Sequence, residues 1–279
     1  MEMSLVTHQG MNRDDRDRRL QMLSQESLES DDKYKLVDYR RQQSLFLGAR
    51  FIFECGLKLE ATPIAVATAA CLFHRFFKEV ETKNYDVYQI GGTCLYLAGK
   101  VENQHLRIRD IINVCYTSIH RNTPPLELGE AYFAFRDAIF QAELLMMRIL
   151  KFKIAREHPH KFLTHYLKSI EEWVGHEACY KNPLPRTSWA VLQDFHMDPA
   201  VTEYPPEALA VAAIQIALQV YGAQVPLCSE QGRNSWQMIV YPGVQPDIQS
   251  EIMLKMLRVY DLENELLARF PYKESVNGK

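Results

Sequence analysis

From Ser44 to Tyr260, apolar residues recur at every third or fourth position, and almost nothing along the stretch marks a strand. Gly is scarce at 12 of 279 residues, and no Asn-Gly or Asp-Gly turn sits between alternating runs. A chain patterned this way can bury its apolar stripes only by packing helix on helix, so an all-α fold is expected. Leu45, Leu47, Phe51, Ile52, Cys55 and Leu59 mark a first helix. Thr62-Pro63 then supplies an N-cap and a proline at the first helical position. The helix that follows carries Ile64, Ala65, Thr68, Ala69, Leu72, Phe73, Phe76 and Phe77. Third, fourth and fifth helices are expected over about 86–102, 109–119 and 128–151, with Asn122 to Pro125 as a loop.

The pattern then starts again. His158-Pro159 opens a helix, Pro183 to Pro185 read as a loop, and Trp189, Val191, Leu192 and Phe195 belong to a further helix. Pro205-Pro206 opens the Ala-rich helix 208–221, and Pro246 opens the last one. A shift of 119 residues places Leu97-Ala98 on Ile216-Ala217 and Val101 on Val220, a faint repeat. The expected organisation is a disordered arm over 1–40, one five-helix bundle over 41–155, a second over 156–267, and a tail over 268–279. The arm is polar and charge-mixed, too poor in apolar residues to offset the entropy of ordering.

Composition narrows the function. A net charge of −3 argues against a general nucleic-acid binder, which normally shows a basic domain or stripe. The longest apolar stretch, 208–225, is interrupted by Gln215 and Gln219 and reads as a core helix, not a membrane span. Met1 to Asp17 lacks the apolar core of a signal peptide. The six cysteines include no C-x-x-C and read as small buried hydrophobes of an intracellular chain. No phosphate-binding loop, nucleophile elbow or kinase signature is found, so neither an enzyme nor a small-molecule substrate is expected. His158, His160, His165 and His176 cluster in sequence, but Pro159 fixes a helix start there. They are read as helix-entry and packing residues, with no metal and no cofactor.

Two ionisable residues stand out. Lys100 ends the run Cys94 to Gly99, and Glu143 opens the run Leu144 to Leu150. Such groups are seldom buried unless paired, so a kept acid and base in apolar helices point to a job. On the fifth helix, Tyr132, Phe135, Ile139, Ala142, Leu145 and Ile149 are expected to face the core. Phe140, Glu143, Met147 and Leu150 form a second stripe turned away from it. A helix with two apolar faces serves two surfaces. The small residues Ala98 and Gly99 beside Lys100 would let a partner's backbone approach. The competing reading is an internal Lys–Glu pair that merely joins two helices.

Leu95 to Glu102, followed 43 residues after its lysine by Glu143 within Ala142 to Phe152, resembles the cyclin box. The resemblance covers about Ser44 to Tyr260. Through His74-Arg75-Phe76 and Glu157 to Phe162 it is most similar to the transcription-type branch of cyclins. It implies two tandem cyclin-box five-helix bundles and a regulatory subunit that forms a heterodimer with a cyclin-dependent protein kinase, in the nucleus or cytoplasm. It further implies that Lys100 and Glu143 hydrogen-bond the kinase backbone ahead of the kinase C-helix. Val101, Met147, Phe152 and Ile154 would pack on that helix. Two departures follow from the same comparison. Ser44-Leu45-Phe46-Leu47-Gly48 replaces the M-R-A-I-L substrate-docking patch of cell-cycle cyclins, and His74 replaces the usual Asp of the second helix. The rival readings are a cyclin-fold module binding DNA or transcription factors, and an all-α scaffold. The first wants a basic second repeat and an N-terminal zinc ribbon, but no Cys precedes Cys55.

Overall fold

A computed structural model describes residues 37–175, 182–225, 235–243 and 245–271. Most of the expected arm (1–36) and of the tail (272–279) lies outside them, as do His176, Cys179 and Cys228. The front bundle comprises α1 (Leu45–Lys58), α2 (Pro63–Glu79), α3 (Val87–Val101), α4 (Ile108–Ile119) and α5 (Glu130–Ile149). The back bundle comprises α6 (Pro159–Val174), α7 (Leu184–Phe195), α8 (Pro206–Tyr221), the short α9 (Trp236–Val240) and α10 (Pro246–Arg269). Among the described residues the only extended pairing is an isolated bridge between Val37 and Pro271. No helix among them is long and apolar enough to cross a membrane.

Each bundle is built round one helix buried on nearly every side. In front this is α3, packed by α1, α2, α4 and α5; behind it is α8, packed by α6, α7 and α10. Local chemistry starts the helices where the sequence said it would. The Thr62 side chain accepts from the Ala65 N–H with Pro63 in the first turn, and Asp86 accepts from the N–H groups of Tyr88 and Gln89. Gly48 is required where α1 crosses α2 and α3: a Cβ there would lie 2.3 Å from Val87 Cγ1 and 2.4 Å from Phe73 Cζ.

Four expectations need correcting. Val37 and Tyr39, assigned to the arm, are buried in the front core. The prolines at 183–185 do not make a loop throughout. α7 begins at Leu184 with Pro185 in its first turn, where a missing N–H costs nothing. On α5 the buried residues include Met146, whereas Leu145 and Ile149 are only partly buried. The end of α10 leaves the back bundle, and Leu266, Leu267 and Phe270 pack on the front core. The Arg50 Nε there donates to Glu263 at 2.7 Å, and the Asp38 N–H donates to the Phe270 carbonyl at 3.0 Å.

Histidines close the seam between the bundles. His74 on α2 donates through Nε2 to the His196 carbonyl at 2.9 Å, and His196 donates through Nδ1 to the Leu192 carbonyl at 2.9 Å. A carbonyl can only accept, which fixes both tautomers. Burial pulls the His74 imidazole down to about 4.

Candidate functional site

The crossing of α3 and α5 brings Lys100 and Glu143 together. Lys100 Nζ donates to Glu143 Oε1 at 2.6 Å and to Oε2 at 2.8 Å. The pair is not sunk in the core, as the flanking apolar runs suggested. The Lys100 side chain is 49% exposed and that of Glu143 15%. The buried run of α3 ends at Gly99, and Lys100, in the last turn, reaches outward from the helix end. Its ammonium lies 4.1 Å from the centre of the Tyr96 ring, which in turn leans on Phe140 at 6.0 Å. Tyr96 was not anticipated; its place one turn before Lys100 was the signal available.

The chemistry is that of a two-ended backbone clamp. An ammonium has three N–H groups and only one acceptor group here, while each carboxylate oxygen keeps a lone pair. The pair can therefore donate to a carbonyl and accept from an N–H of another chain. It is flanked on the same helix by side chains that water does not favour: Phe140 is 37% exposed and Leu144 64%. Leu144 is a further surface residue that the stripe reading passed over.

Of the other anticipated contacts, Val101, Met147 and Ile154 are part-buried, each with one side on the front core. Phe152 is 67% exposed, for a backbone reason. Lys151 and Phe152 follow α5 in the left-handed region, at φ 51° and 60°. For side chains other than Gly this costs on the order of 1–2 kcal/mol per residue. The Phe152 N–H closes the helix end by donating to the Met147 carbonyl at 2.9 Å. Arg75 donates to the Lys153 carbonyl and holds the next residues in place.

Beside Lys100 lies an open cavity of about 580 Å³, lined by Tyr96, Gly99, Asn103, Leu106 and Ile108. Gly99 does not leave room for a partner, as its size suggested. A Cβ there would lie 3.0 Å from the Gln104 carbonyl and 3.1 Å from Leu106 Cδ1, so the chain's own loop uses that space.

In the stretch that replaces the substrate-docking patch, Ser44 caps α1, Leu47 and Gly48 are buried, and Phe46 packs on the back core. The histidines regroup differently from their sequence spacing. His165 is exposed, while His158 and His160 meet His196, their ligand atoms lying within 4.8 Å. The rings of His160 and His196 are stacked, 5.3 Å apart at 24°. All four described cysteines are buried free thiols.

Residues 17–155 match the family profile described as "Cyclin, N-terminal domain". The front bundle is a cyclin N-terminal domain. Cyclin pch1 of Schizosaccharomyces pombe is 33% identical over 174 residues, 62% of this chain and 49% of that protein. Human Cyclin-L1 is 31% identical over 219 residues, 77% of this chain and 39% of that protein. The chain thus spans half or less of the length of these curated relatives. In fold, it aligns with a chain of the yeast RNA Pol II CTD kinase CTDK-1 complex at a TM-score of 0.61 and 17% identity. That alignment covers 87% of this chain and 74% of the other.

Proposed function

We propose that this chain is a cyclin that binds and activates a cyclin-dependent kinase through the α3–α5 surface. The finer reading is a transcription-type cyclin similar to cyclin Q, with a partner of the cyclin-dependent kinase 10 type. The long matching stretches 97–114, 143–167 and 216–226 support it. The observation that carries the proposal is the exposed Lys100–Glu143 pair flanked by Phe140 and Leu144. A donor and an acceptor side by side are suited to grip a helix-entry backbone, and Val101, Met147, Phe152 and Ile154 to meet an apolar helix face. Kinase complexes also occur among structures with this fold.

Activation follows from phosphoryl-transfer requirements. A kinase needs its β3 Lys–αC Glu pair formed before the metal-bound phosphates can react. A subunit that binds only the αC-in state shifts the population toward it by its differential affinity. Docking would bury the Lys100–Glu143 pair. Removing one member of such an interfacial charge pair costs on the order of 2–5 kcal/mol. At about 1.4 kcal/mol per decade, Lys100→Ala or Glu143→Ala should weaken kinase binding roughly 30- to 3000-fold. The test is capture of kinases from cell extract by the wild-type chain, their identification by mass spectrometry, and affinities of both variants for the recovered kinase. Wild-type affinity in both variants would overturn the assignment.

A further inference from the structure

The end of α2, the linker after α5 and the Pro199–Thr202 turn enclose a cavity of about 520 Å³ at the seam between the bundles. Its wall carries Arg75, Lys78, Lys151, Lys153 and Arg156 against a single carboxylate, Glu79. None of the five cations forms an ion pair among the described residues. The chain as a whole carries a net charge of −3. The C-termini of α2 and α5 approach here, and each brings about half a negative charge. With Glu79 counted, an excess of about three positive charges remains.

The two arginines are positioned in advance. Arg75 donates through Nη2 to the Lys153 carbonyl, and Arg156 through Nη2 to the carbonyls of Val201 at 3.3 Å and Tyr204 at 3.4 Å. Those contacts fix the guanidinium planes without neutralising them, and a guanidinium has five N–H groups to share. Burial and the neighbouring Arg156 charge both lower the Arg75 pKa, the direction expected of a cation short of a counter-ion.

We propose that this cavity binds a phosphorylated serine or threonine side chain presented by another protein. A phosphate monoester carries about −1.5 to −2 charges and three strong acceptor oxygens, matching the excess charge and the paired arginine forks. A single carboxylate would leave most of the repulsion standing. The cavity is also far larger than a free phosphate needs. The apolar wall formed by Ile149 and Ala155 suits the carbon atoms of a segment that carries the phosphate. The cavity shares no lining residue with the Lys100–Glu143 pair, although Lys151 and Lys153 alternate with Phe152 and Ile154 of the proposed kinase surface, and it does not rest on the kinase reading.

The experiment uses the full chain without any kinase. The peptide Ac-Gly-Ala-pThr-Ala-Gly-NH2 is titrated with protein and followed by its phosphorus resonance, in parallel with its unphosphorylated form and with inorganic phosphate. The expected result is saturable binding of the phosphopeptide, weakened by added salt. The Lys78→Glu/Lys153→Glu variant should bind it at least about tenfold more weakly, and Lys100→Ala should bind it as wild type. If the charge reversal unfolds the chain by circular dichroism, Lys78→Gln/Lys153→Gln takes its place with the same expected direction. Undiminished binding in the folded variant, or equal binding of the unphosphorylated peptide, overturns the proposal. So does inorganic phosphate binding as tightly as the phosphopeptide, which would make the cavity an anion hole and not a protein-recognition site.

Discussion

Glu143→Ala tests whether the acid–base pair is kept for a partner or for the fold. Lys100 Nζ is 2.6 Å from the carboxylate, which favours a strong bond, but its side chain is 49% exposed. Exposed ion pairs measure between about 0 and 1 kcal/mol, because the ammonium exchanges one partner for water. The Tyr96 ring stays beneath Lys100 in the variant and still offers its face. The buried residues of α5, Tyr132, Ile139, Ala142 and Met146, are untouched. A loss of no more than about 1 kcal/mol follows, a shift of about 2–4 °C in melting temperature for a protein of this size. Thermal and urea unfolding of the isolated chain, followed at 222 nm, read this directly. A loss above about 3 kcal/mol would mean that the pair fastens α3 to α5 as a structural tie, and the docking argument would lose its foundation.

Glu54→Ala is expected to behave in the opposite way. Its carboxylate accepts from Tyr39 Oη at 2.7 Å, Lys58 Nζ at 2.8 Å and Arg121 Nη2 at 3.0 Å. Burial pushes this carboxyl up, but the bonds from Lys58 and Arg121 outweigh it and hold the group below the usual carboxylate range. Removing it from a largely buried network should cost about 3–5 kcal/mol in a urea titration, and a cost under about 1 kcal/mol would contradict the network's role. The seam histidines predict acid sensitivity. Burial lowers His74 and His160 to about 4 each, so between pH 4 and about 6.5 the unfolded chain binds more protons than the folded one. Stability is then full above about pH 6.5 and falls as pH drops through that window, by on the order of 3 kcal/mol for His74 alone. Urea midpoints that stay level from pH 7 to pH 4.5 would rule this out.

Helix starts were the most legible part of the chain, because capping is local. Thr62-Pro63 and Asp86 announce α2 and α3 through side chains that satisfy N–H groups two or three residues away. The phase of α5 was legible too, but misjudged. Met146, seven residues after Ile139, lies only about 20° from it around the helix, whereas Leu145 lies well to the side. The exposure of Lys100 could not be read from its neighbours, since the composition of a run does not say where a helix ends relative to its bundle. His196 joins His158 and His160 through packing alone, across 36 residues of chain, and no spacing rule links them.

The two bundles repeat one design, but only one keeps the charge pair. At the offset of 119 residues, Gln219 stands where Lys100 does, and Leu262 where Glu143 does. Gln219 borders a cavity of about 730 Å³ lined by Met253, Leu254 and Leu257 together with Gln and Ser side chains, and among the described residues no ammonium or carboxylate lines it. Beside Leu262, Glu263 is already engaged by Arg50 of the front bundle at 2.7 Å. Leu266, Leu267 and Phe270 follow it onto the front core. The last helix of the back bundle is therefore a fastener for the front one. At the matched positions the back bundle carries an amide and an apolar side chain, so of the two only the front one pairs an ammonium with a carboxylate.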